Sequence, residues 1–296
     1  MQNSPLVSIL CLSYNHSQFV EEALNSVLNQ TYKNIELLIA DDCSPDNSKS
    51  VIENWLKNHP EVIFVSNPTN IGNTKTFNKL LALSKGEYII DLAADDILLP
   101  DCIEKQLKAF QNSELGNVGI VYGNAESVSE NGKHLSHYYE TDNDGKIINP
   151  PPSGNIYLSV LGQYNKICSV SSMVKREVYE KLGGYDENLA YEDLDLWMRA
   201  SRRYNFEFIP DVLVQKRELA TSLGSQFFVK NNARTRKLNR STYTIIQKAL
   251  RQNTSKEENR ALLKRIHFEM AKVFKTRDFS LLLHYILMEL KIRLNI

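Results

Sequence analysis

Two adjacent carboxylates, Asp95 and Asp96, lie just beyond an apolar run in the segment "EYIIDLAADDILLPD". A second pair, Asp41 and Asp42, directly follows the apolar run "IELLIA". Carboxylates held this close repel each other unless a positive charge lies near them. Mg²⁺ commonly takes one or two protein carboxylates and completes its shell with substrate phosphates. The two pairs therefore predict a divalent cation that bridges the protein to a diphosphate.

The runs that precede these aspartates belong to a series of predicted strands that alternate with helices. Five apolar runs are typical of strands, at residues 6–12, 35–40, 62–66, 88–92 and 118–123. Strands of this continuous apolar type, alternating with helices, indicate an α/β fold whose mainly parallel sheet is covered on both faces. Ligands bind beyond the carboxyl ends of such strands. We therefore expect both aspartate pairs to face one crevice, together with Tyr14 and Asn15 after the first strand.

Structural roles compete with ligand binding around the second strand. Ser44 followed by Pro45 is typical of a helix N-cap and first helical residue, and Asp46 would favour the positive end of that helix. This explanation leaves Asp41 and Asp42 without a role. We therefore favour ligand contact for Asp42.

The segment "YEDLDLWMR" offers a candidate base. Asp195 and Arg199 have the spacing of an i, i+4 ion pair on a helix, and we assign them that structural role. Asp193 follows a Gly-Gly turn, which can present a side chain to a cleft, where a carboxylate could deprotonate a hydroxyl. Spacing alone leaves this role open beside that of an acidic residue in the first helical turn.

Several classes of protein are excluded by what the sequence does not contain. No GxGxxG follows the first strand and no GxxxxGK[ST] occurs, which argues against dinucleotide-dependent dehydrogenases and P-loop NTPases. The four cysteines are far apart, which argues against a zinc site and suits a reducing compartment. The N-terminal residues have no basic group before the first apolar run, unlike a signal peptide. We therefore expect a cytoplasmic protein without a nucleic-acid partner.

Four motifs occur in a fixed order, and together they resemble the family-2 glycosyltransferases. They are listed here in chain order: "VSILCLSYNHSQFVEEALNSVLNQTYKNIELLIADDCSPDNS", "NIGNTKTFNKLLALSKGEYI", "AADDILLP" and "GGYDENLAYEDLDLWMR". The resemblance covers about residues 5–220. It implies a GT-A fold, a nucleotide-sugar donor with UDP the favoured nucleotide, and direct displacement that inverts the anomeric centre.

The resemblance also implies roles for individual residues. Asp95 and Asp96 match the end of the family's metal motif and would hold Mn²⁺ or Mg²⁺, although Ala93 stands where many members have Asp. Asp193 matches the proposed general base. The nucleotide sugar would contact the residues listed here: Ser13, Tyr14, Asn15, Asp41, Asp42, Asn78 and Asp95. The acceptor would be a hydroxyl of a saccharide or a lipid-linked saccharide, in the synthesis of a surface polysaccharide or other glycan.

Two alternatives to this function stay open from the sequence. Direct transfer to a polyprenyl phosphate would need no strong base, because that acceptor is already ionised. A catalytically silent protein that binds nucleotide sugars as a scaffold is compatible with Ala93, whereas the retained aspartates argue against it.

The C-terminal part of the chain differs in charge from the rest. From Lys216 onward there are 18 basic and 6 acidic residues, which leaves 17 basic and 29 acidic residues before it. We predict a catalytic domain at 1–220 and a helical extension at 221–296, with helices near 226–250, 256–275 and 279–294. The last predicted helix is apolar around most of its circumference, so it must be buried in something. It could pack on the catalytic domain or a dimer partner, or lie on an anionic membrane surface.

Overall fold

The structure is a computed structural model that describes residues 4–162, 167–220 and 222–294. The chain divides into two compact units, and each is built from separate stretches of sequence. Unit 1 comprises Met1–Gly154, Ile167–Tyr185 and Tyr204–Glu218, and unit 2 comprises Asn155–Lys166, Asp186–Arg203 and Leu219–Ile296. The domain boundary expected at residue 220 stays a prediction.

Unit 1 is organised around one sheet, which has nine strands within the described residues. The strands are β1 (Val7–Ser13), β2 (Ile35–Asp41), β3 (Ile63–Ser66), β4 (Tyr88–Ala93), β5 (Ile97–Leu98), β6 (Val118–Val128), β7 (His134–His137), β8 (Ser172–Lys175) and β9 (Asn205–Arg217). Their order is β3-β2-β1-β4-β8-β6-β9-β5, and β7 pairs with β6.

The first half of the sheet is parallel, as its apolar strands predict. β1 pairs in parallel with both β2 and β4, and β2 pairs in parallel with β3. β8 is antiparallel to its neighbours β4 and β6, whereas β6 and β9 are parallel. The central strands are apolar along their length because both faces of the sheet are covered. The predicted α/β class with a mainly parallel sheet is confirmed.

The helices of unit 1 connect and cover these strands. They are α1 (Val20–Leu28), α2 (Ser48–Trp55), α3 (Asn73–Leu83), α4 (Cys102–Asn112) and α6 (Arg176–Leu182). The predicted N-cap at Ser44 is wrong, because α2 begins only at Ser48. The Ser44 hydroxyl instead donates to Asp41 Oδ1 at 2.5 Å, so the segment forms a turn before the helix.

Unit 2 is helical within the residues that are described. Its helices are α5 (Tyr157–Gly162), α7 (Asp193–Ala200), α8 (Ala233–Gln252), α9 (Lys256–Lys275) and α10 (Phe279–Leu294). α9 starts with a capping box formed by Ser255 and Glu258, and it packs against α5, α8 and α10. The three predicted C-terminal helices are confirmed, although Leu223–Phe228 forms a short 3₁₀ helix and Asn232 caps the start of α8. None of the described helices has the apolar length needed to cross a bilayer.

Candidate active site

The carboxyl ends of β1, β2 and β4 lie side by side at one edge of the sheet in unit 1. In the strand register, Ser13 is opposite Asp41, and Leu12 is opposite Ala93. Parallel pairing therefore brings the residues that follow these strands to a common edge, as expected for a ligand site in an α/β sheet.

Asp41 and Asp42 are buried and hydrogen-bonded within the protein. Asp41 accepts hydrogen bonds from the Ser44 backbone N–H and from the Ser44 hydroxyl. Asp42 Oδ1 accepts from Asn67 Nδ2 and from the Ile71 N–H, each at 2.9 Å, while its Oδ2 accepts from the Gly72 N–H at 2.8 Å. Donors of this kind stabilise a carboxylate charge, so this pair does not require a cation.

The loop after β1 is fixed to the turn before α2. The backbone N–H groups of Asn15, His16 and Ser17 donate to Ser44 Oγ, Ser48 Oγ and Asp46 Oδ2, at 3.0, 2.9 and 2.9 Å. Asn15 has a left-handed φ of 62°, which Asn tolerates better than most residues. This held loop leaves the Tyr14 side chain 45% exposed, as suits a residue that contacts a ligand.

Asp95 and Asp96 have different surroundings although they are adjacent. Asp96 is buried, and its Oδ1 accepts the backbone N–H of Arg217 at 2.9 Å. Burial raises the pKa of Asp96 well above its usual range, and the neighbouring charge of Asp95 adds to this rise. The Asp95 side chain keeps 12% exposure, and its Oδ2 lies 3.7 Å from His16 Nε2. Asp95 is therefore the carboxylate of the pair that a ligand can reach.

Sequence reasoning missed two residues that hold this turn. Arg217, at the end of β9, is 4% exposed and donates through Nε to the Asp95 carbonyl, through Nη1 to the Glu130 carbonyl and through Nη2 to Glu22 Oε2. His16 faces Asp95, and its Nδ1 is buried without a partner in the part of the chain that is described. The polar run "SYNHS" after the first strand was the available signal for His16, whereas no local pattern marks Arg217.

The residues at this edge fit a divalent cation that is held mainly by its substrate. Within the described ranges, no group of three or more His, Cys, Asp or Glu side chains is arranged to hold a metal. Asp95 nevertheless offers carboxylate oxygens, which Mn²⁺ and Mg²⁺ accept, and the His16 Nε2 atom lies 3.7 Å from one of them. One or two protein ligands suffice where phosphate oxygens supply others.

Asn78 is placed as a clamp on a glycine turn. Its Nδ2 donates to the Tyr185 carbonyl at 2.9 Å, and its Oδ1 accepts the Tyr185 N–H at 3.0 Å. A Cβ atom on Gly184 would lie 2.6 Å from Asn78 Oδ1, so the close approach requires glycine. The Tyr185 hydroxyl in turn donates to Asp91 Oδ2 at 2.9 Å. Burial raises the pKa of Asp91 to about 7. The sequence analysis gave Asp91 no role.

In unit 2, Asp193 is the first residue of α7. Its Oδ1 accepts the backbone N–H of Leu194 at 2.6 Å. Burial raises the pKa of Asp193, while the Leu194 N–H and the charge of Arg265 partly oppose the rise. The predicted pair is confirmed next to it, since Arg199 Nη2 lies 2.7 Å from Asp195 Oδ2. Asp195 thus has a structural partner, whereas Asp193 has the raised pKa that suits a base.

A basic groove of about 530 Å³ lies along the exposed side of α8 in unit 2. We call it the α8 groove, and it is lined by Asn188, Asn231, Ala233, Arg236, Lys237, Arg240, Ser241 and Thr244. Its three basic side chains lie within two turns of one helix face. Asn188 belongs to the loop that precedes Asp193.

Comparison with known proteins decides the family. The family model described as Glycosyl transferase family 2 matches residues 8–183, which is more than half of the chain. The chain belongs to this family. An uncharacterised glycosyltransferase of Methanocaldococcus jannaschii is 30% identical to it over 220 residues, covering 73% of this chain and 71% of that protein. Another from Haemophilus influenzae is 26% identical over 301 residues, covering 97% and 92%.

Solved structures share the fold of this glycosyltransferase. S. aureus TarS in complex with UDP-GlcNAc superposes with a TM-score of 0.64 at 15% identity, covering 86% of this chain and 70% of that one. The mannosyltransferase PcManGT from Pyrobaculum calidifontis, in complex with GDP-Man and Mn²⁺, superposes with a TM-score of 0.61 at 17% identity, covering 96% and 75%. These similarities confirm the GT-A fold expected from the sequence.

Proposed function

We propose that this glycosyltransferase moves a sugar from a nucleoside diphosphate sugar, with UDP as the nucleotide, to a hydroxyl of a saccharide or lipid-linked saccharide. The observation that carries the proposal is the accessible Asp95 carboxylate at the carboxyl edge of the parallel strands, where the loop after β1 also exposes Tyr14. TarS, whose fold is shared, was solved with UDP-GlcNAc, which favours a nucleotide sugar as donor.

Donor binding is assigned to the edge formed by β1, β2 and β4. Tyr14 is exposed there and would contact the nucleotide, while Ser13 contributes a buried hydroxyl without a partner in the described residues. Asp41 and Asp42 would shape the pocket through the loops that they hold. Asn15 and Asn78 would act in the same way, because the Asn15 backbone N–H fixes the loop after β1 and the Asn78 side chain fixes the turn at Tyr185.

The metal-dependent step is assigned to Asp95, with His16 beside it. A bound Mn²⁺ or Mg²⁺ would neutralise the negative charge that develops on the departing nucleoside diphosphate. Asp95 would bind this ion directly, whereas Asp96 would hold the turn through the Arg217 N–H. PcManGT, which shares the fold, was solved with Mn²⁺, and this favours a metal of this type.

Asp193 is proposed as the general base of an inverting displacement. The acceptor oxygen would form a bond to the anomeric carbon as the bond from that carbon to the diphosphate oxygen breaks. The acceptor proton would pass to Asp193. Burial raises the pKa of Asp193, which makes its carboxylate a better proton acceptor than an exposed aspartate.

The α8 groove favours an acceptor that carries phosphate. Arg236, Lys237 and Arg240 line it, and such side chains bind phosphate through charge-assisted hydrogen bonds. A lipid-linked saccharide has phosphate next to its sugar, whereas a neutral free saccharide has none. Enzymes of this kind would work where the acceptor lies, at the inner face of a membrane.

A panel of nucleotide sugars tests the proposal. The purified chain is incubated with each donor, with Mn²⁺ or Mg²⁺ and with acceptor, and release of the free nucleoside diphosphate is measured. We expect release from one UDP-sugar, and a chelator should abolish it. Release from no donor, while nucleotides still bind, would instead support a silent sugar-nucleotide scaffold.

The acceptor is tested separately with the best donor. A phosphate-linked saccharide and the same saccharide without phosphate are compared as acceptors. Arg236→Gln with Arg240→Gln should raise KM for the phosphate-linked acceptor alone. An equal effect on both acceptors would remove the α8 groove from acceptor recognition.

A further inference from the structure

α10 has two apolar faces, and only one of them is covered within unit 2. Leu281, Tyr285, Met288 and Ile292 recur at helical spacing, are at most 6% exposed, and form the face on the side of α9. The opposite face is also apolar but lies open. The exposed residues on that face are Phe279, Leu283, Ile286, Leu287, Leu290 and Leu294, with exposures between 37% and 87%.

The open face continues onto the end of α9. Phe274 is 61% exposed, and its ring centroid lies 6.0 Å from that of Phe279. We call these seven side chains together the α10 stripe. Contiguous exposed apolar patches of this kind mark sites where proteins meet other proteins or membranes.

The charges around the α10 stripe are of one sign at the surface. The exposed charged residues between 270 and 294 are Lys275 and Arg277 at its start and Lys291 and Arg293 at its end. The acidic residues of this segment are largely covered: Asp278 is 5% exposed, and the Glu289 side chain, 17% exposed, pairs with His267 and with Arg293, whose charge it partly offsets. An apolar strip with basic ends is complementary to a surface that is apolar inside and negative at its rim.

A second copy of the chain does not fit this pattern. A two-fold contact between two α10 helices would be either antiparallel or parallel. The antiparallel arrangement places Lys275 and Arg277 against Lys291 and Arg293, and the parallel arrangement places each basic end against its own copy. Both arrangements bring like charges together, which is unfavourable.

We propose that the α10 stripe binds the surface of an anionic lipid bilayer, with α10 lying in the plane of the headgroups. The apolar side chains of the stripe enter the boundary of the acyl chains, and basic side chains at its two ends, Lys275 and Arg277 foremost, contact lipid phosphates. α10 lies on the bilayer and does not cross it, because its 16 residues are too few for a span. This binding is independent of the proposed sugar transfer, which it serves only by location.

Vesicle co-sedimentation without donor or acceptor tests the proposal on the full chain. The vesicles contain phosphatidylcholine alone or phosphatidylcholine with phosphatidylglycerol. We expect binding only to the anionic vesicles, weakening as salt is added. Lys275→Gln with Arg277→Gln should weaken binding about fivefold for each charge removed.

A charged residue placed within the α10 stripe tests the apolar contact directly. Leu287→Glu should weaken binding about tenfold or more, because a leucine is lost from the apolar boundary. Ser50→Glu adds the same charge at an exposed position on α2 and should leave binding unchanged. Circular dichroism of both variants checks that each has the helical content of the natural chain.

Three outcomes would overturn the proposal. They are equal binding to neutral and anionic vesicles, unchanged binding by Leu287→Glu, and no binding by the natural chain. In the last case, a dimer that Leu287→Glu converts to monomers would assign the stripe to a second copy. If the natural chain transfers sugar but does not bind vesicles, the proposed function is retained and the membrane proposal fails. If it binds anionic vesicles but transfers no sugar, the membrane proposal is retained and the proposed function fails.

Discussion

At the scale of single residues, the adjacent aspartates Asp95 and Asp96 have different roles. Asp96 is buried and accepts the Arg217 N–H, whereas the Asp95 side chain faces His16 and keeps 12% exposure. The sequence could not indicate which of the two carboxylates is buried and which is accessible, because both follow β4 within three positions. The division depends on where β9 ends, more than a hundred residues later.

The first prediction separates these two aspartates. Asp95→Asn should fold normally and lose nearly all sugar transfer, because the accessible metal ligand is gone. Asp96→Ala should lower the melting temperature, because the Arg217 N–H loses its partner at a cost of about 1–3 kcal/mol. Thermal unfolding and donor turnover are measured for both, with Asp144→Asn in an exposed loop as control. Full turnover by Asp95→Asn would remove Asp95 from the metal site.

The second prediction concerns Asp193. Asp193→Asn keeps the shape and removes the basicity, so kcat should fall by about 10²–10⁴-fold with little change in donor affinity. In the natural enzyme, kcat should fall as the pH is lowered through the raised pKa of Asp193, because the base becomes protonated. The Asn variant should lack this acid limb. A variant with near-normal kcat would instead favour an acceptor that is already ionised.

The third prediction concerns stability and Asp91. Its pKa rises on folding from 3.8 to about 7, so the folded state binds the proton more tightly. The stability due to this group is present at low pH and is lost as pH rises through 7. Relative to Asp91→Asn, the free energy of unfolding of the natural chain should fall by up to about 4 kcal/mol as the pH rises from 3.8 to about 7. Urea unfolding at several pH values measures the difference.

A residue with the opposite shift provides the control for Asp91. Hydrogen bonds from Ser48 and Ser17 outweigh burial and lower the pKa of Asp46 to about 2. The natural chain should therefore gain stability relative to Asp46→Asn as pH rises from 2 to 4. If both comparisons had the same sign, the assignment of the two shifts would be wrong.

At the scale of elements, the sequence predicts what depends on local apolar pattern. β1, β2, β3 and β4 were predicted closely, because buried parallel strands are continuous apolar runs. The start of α2 was predicted wrongly. Ser44 is a residue type that commonly caps helices, but its hydroxyl donates to Asp41 across the turn. The antiparallel β8 could not be placed in the sheet order, because its pairing with β4 and β6 is long-range.

The fourth prediction concerns the element that fixes the turn after β4. Arg217 ends β9 and joins the Asp95 carbonyl to Glu22 on α1. Arg217→Met should destabilise the protein by about 1.5–3 kcal/mol through lost hydrogen bonds to charge, and it should weaken Mn²⁺ activation by loosening Asp95. Melting temperature and the Mn²⁺ dependence of turnover are measured. Arg251→Met, on the exposed side of α8, is the control and should alter neither.

At the scale of the whole molecule, sequence reasoning treated the C-terminal residues as an extension, whereas unit 2 draws on three stretches of chain. The Ala190 N–H donates to Ser241 Oγ at 2.9 Å, and Asp195 Oδ1 lies 2.8 Å from Lys248 Nζ. Arg265, which is buried, donates to the Val160 carbonyl at 2.7 Å. Composition and charge change near residue 216, but these contacts join segments on both sides of that change.

The last prediction follows from this interleaved unit. A chain that ends at residue 220 keeps α5 and α7 but loses the α8 and α9 helices that cover them. Leu196 and Trp197, which are at most 5% exposed in the full chain, lie on α7, which packs against α8, and Asp195 would keep Arg199 but lose its Lys248 partner. We therefore expect this fragment to aggregate or to lack a cooperative melting transition, as measured by size exclusion and circular dichroism. A chain ending at residue 278 removes α10 alone and is the control, since it keeps α8 and α9 over those segments. A monomeric 1–220 fragment that melts at the temperature of the full chain would support the boundary predicted from sequence. It would also mean that the residues after 220 are not needed for the rest of the chain to fold.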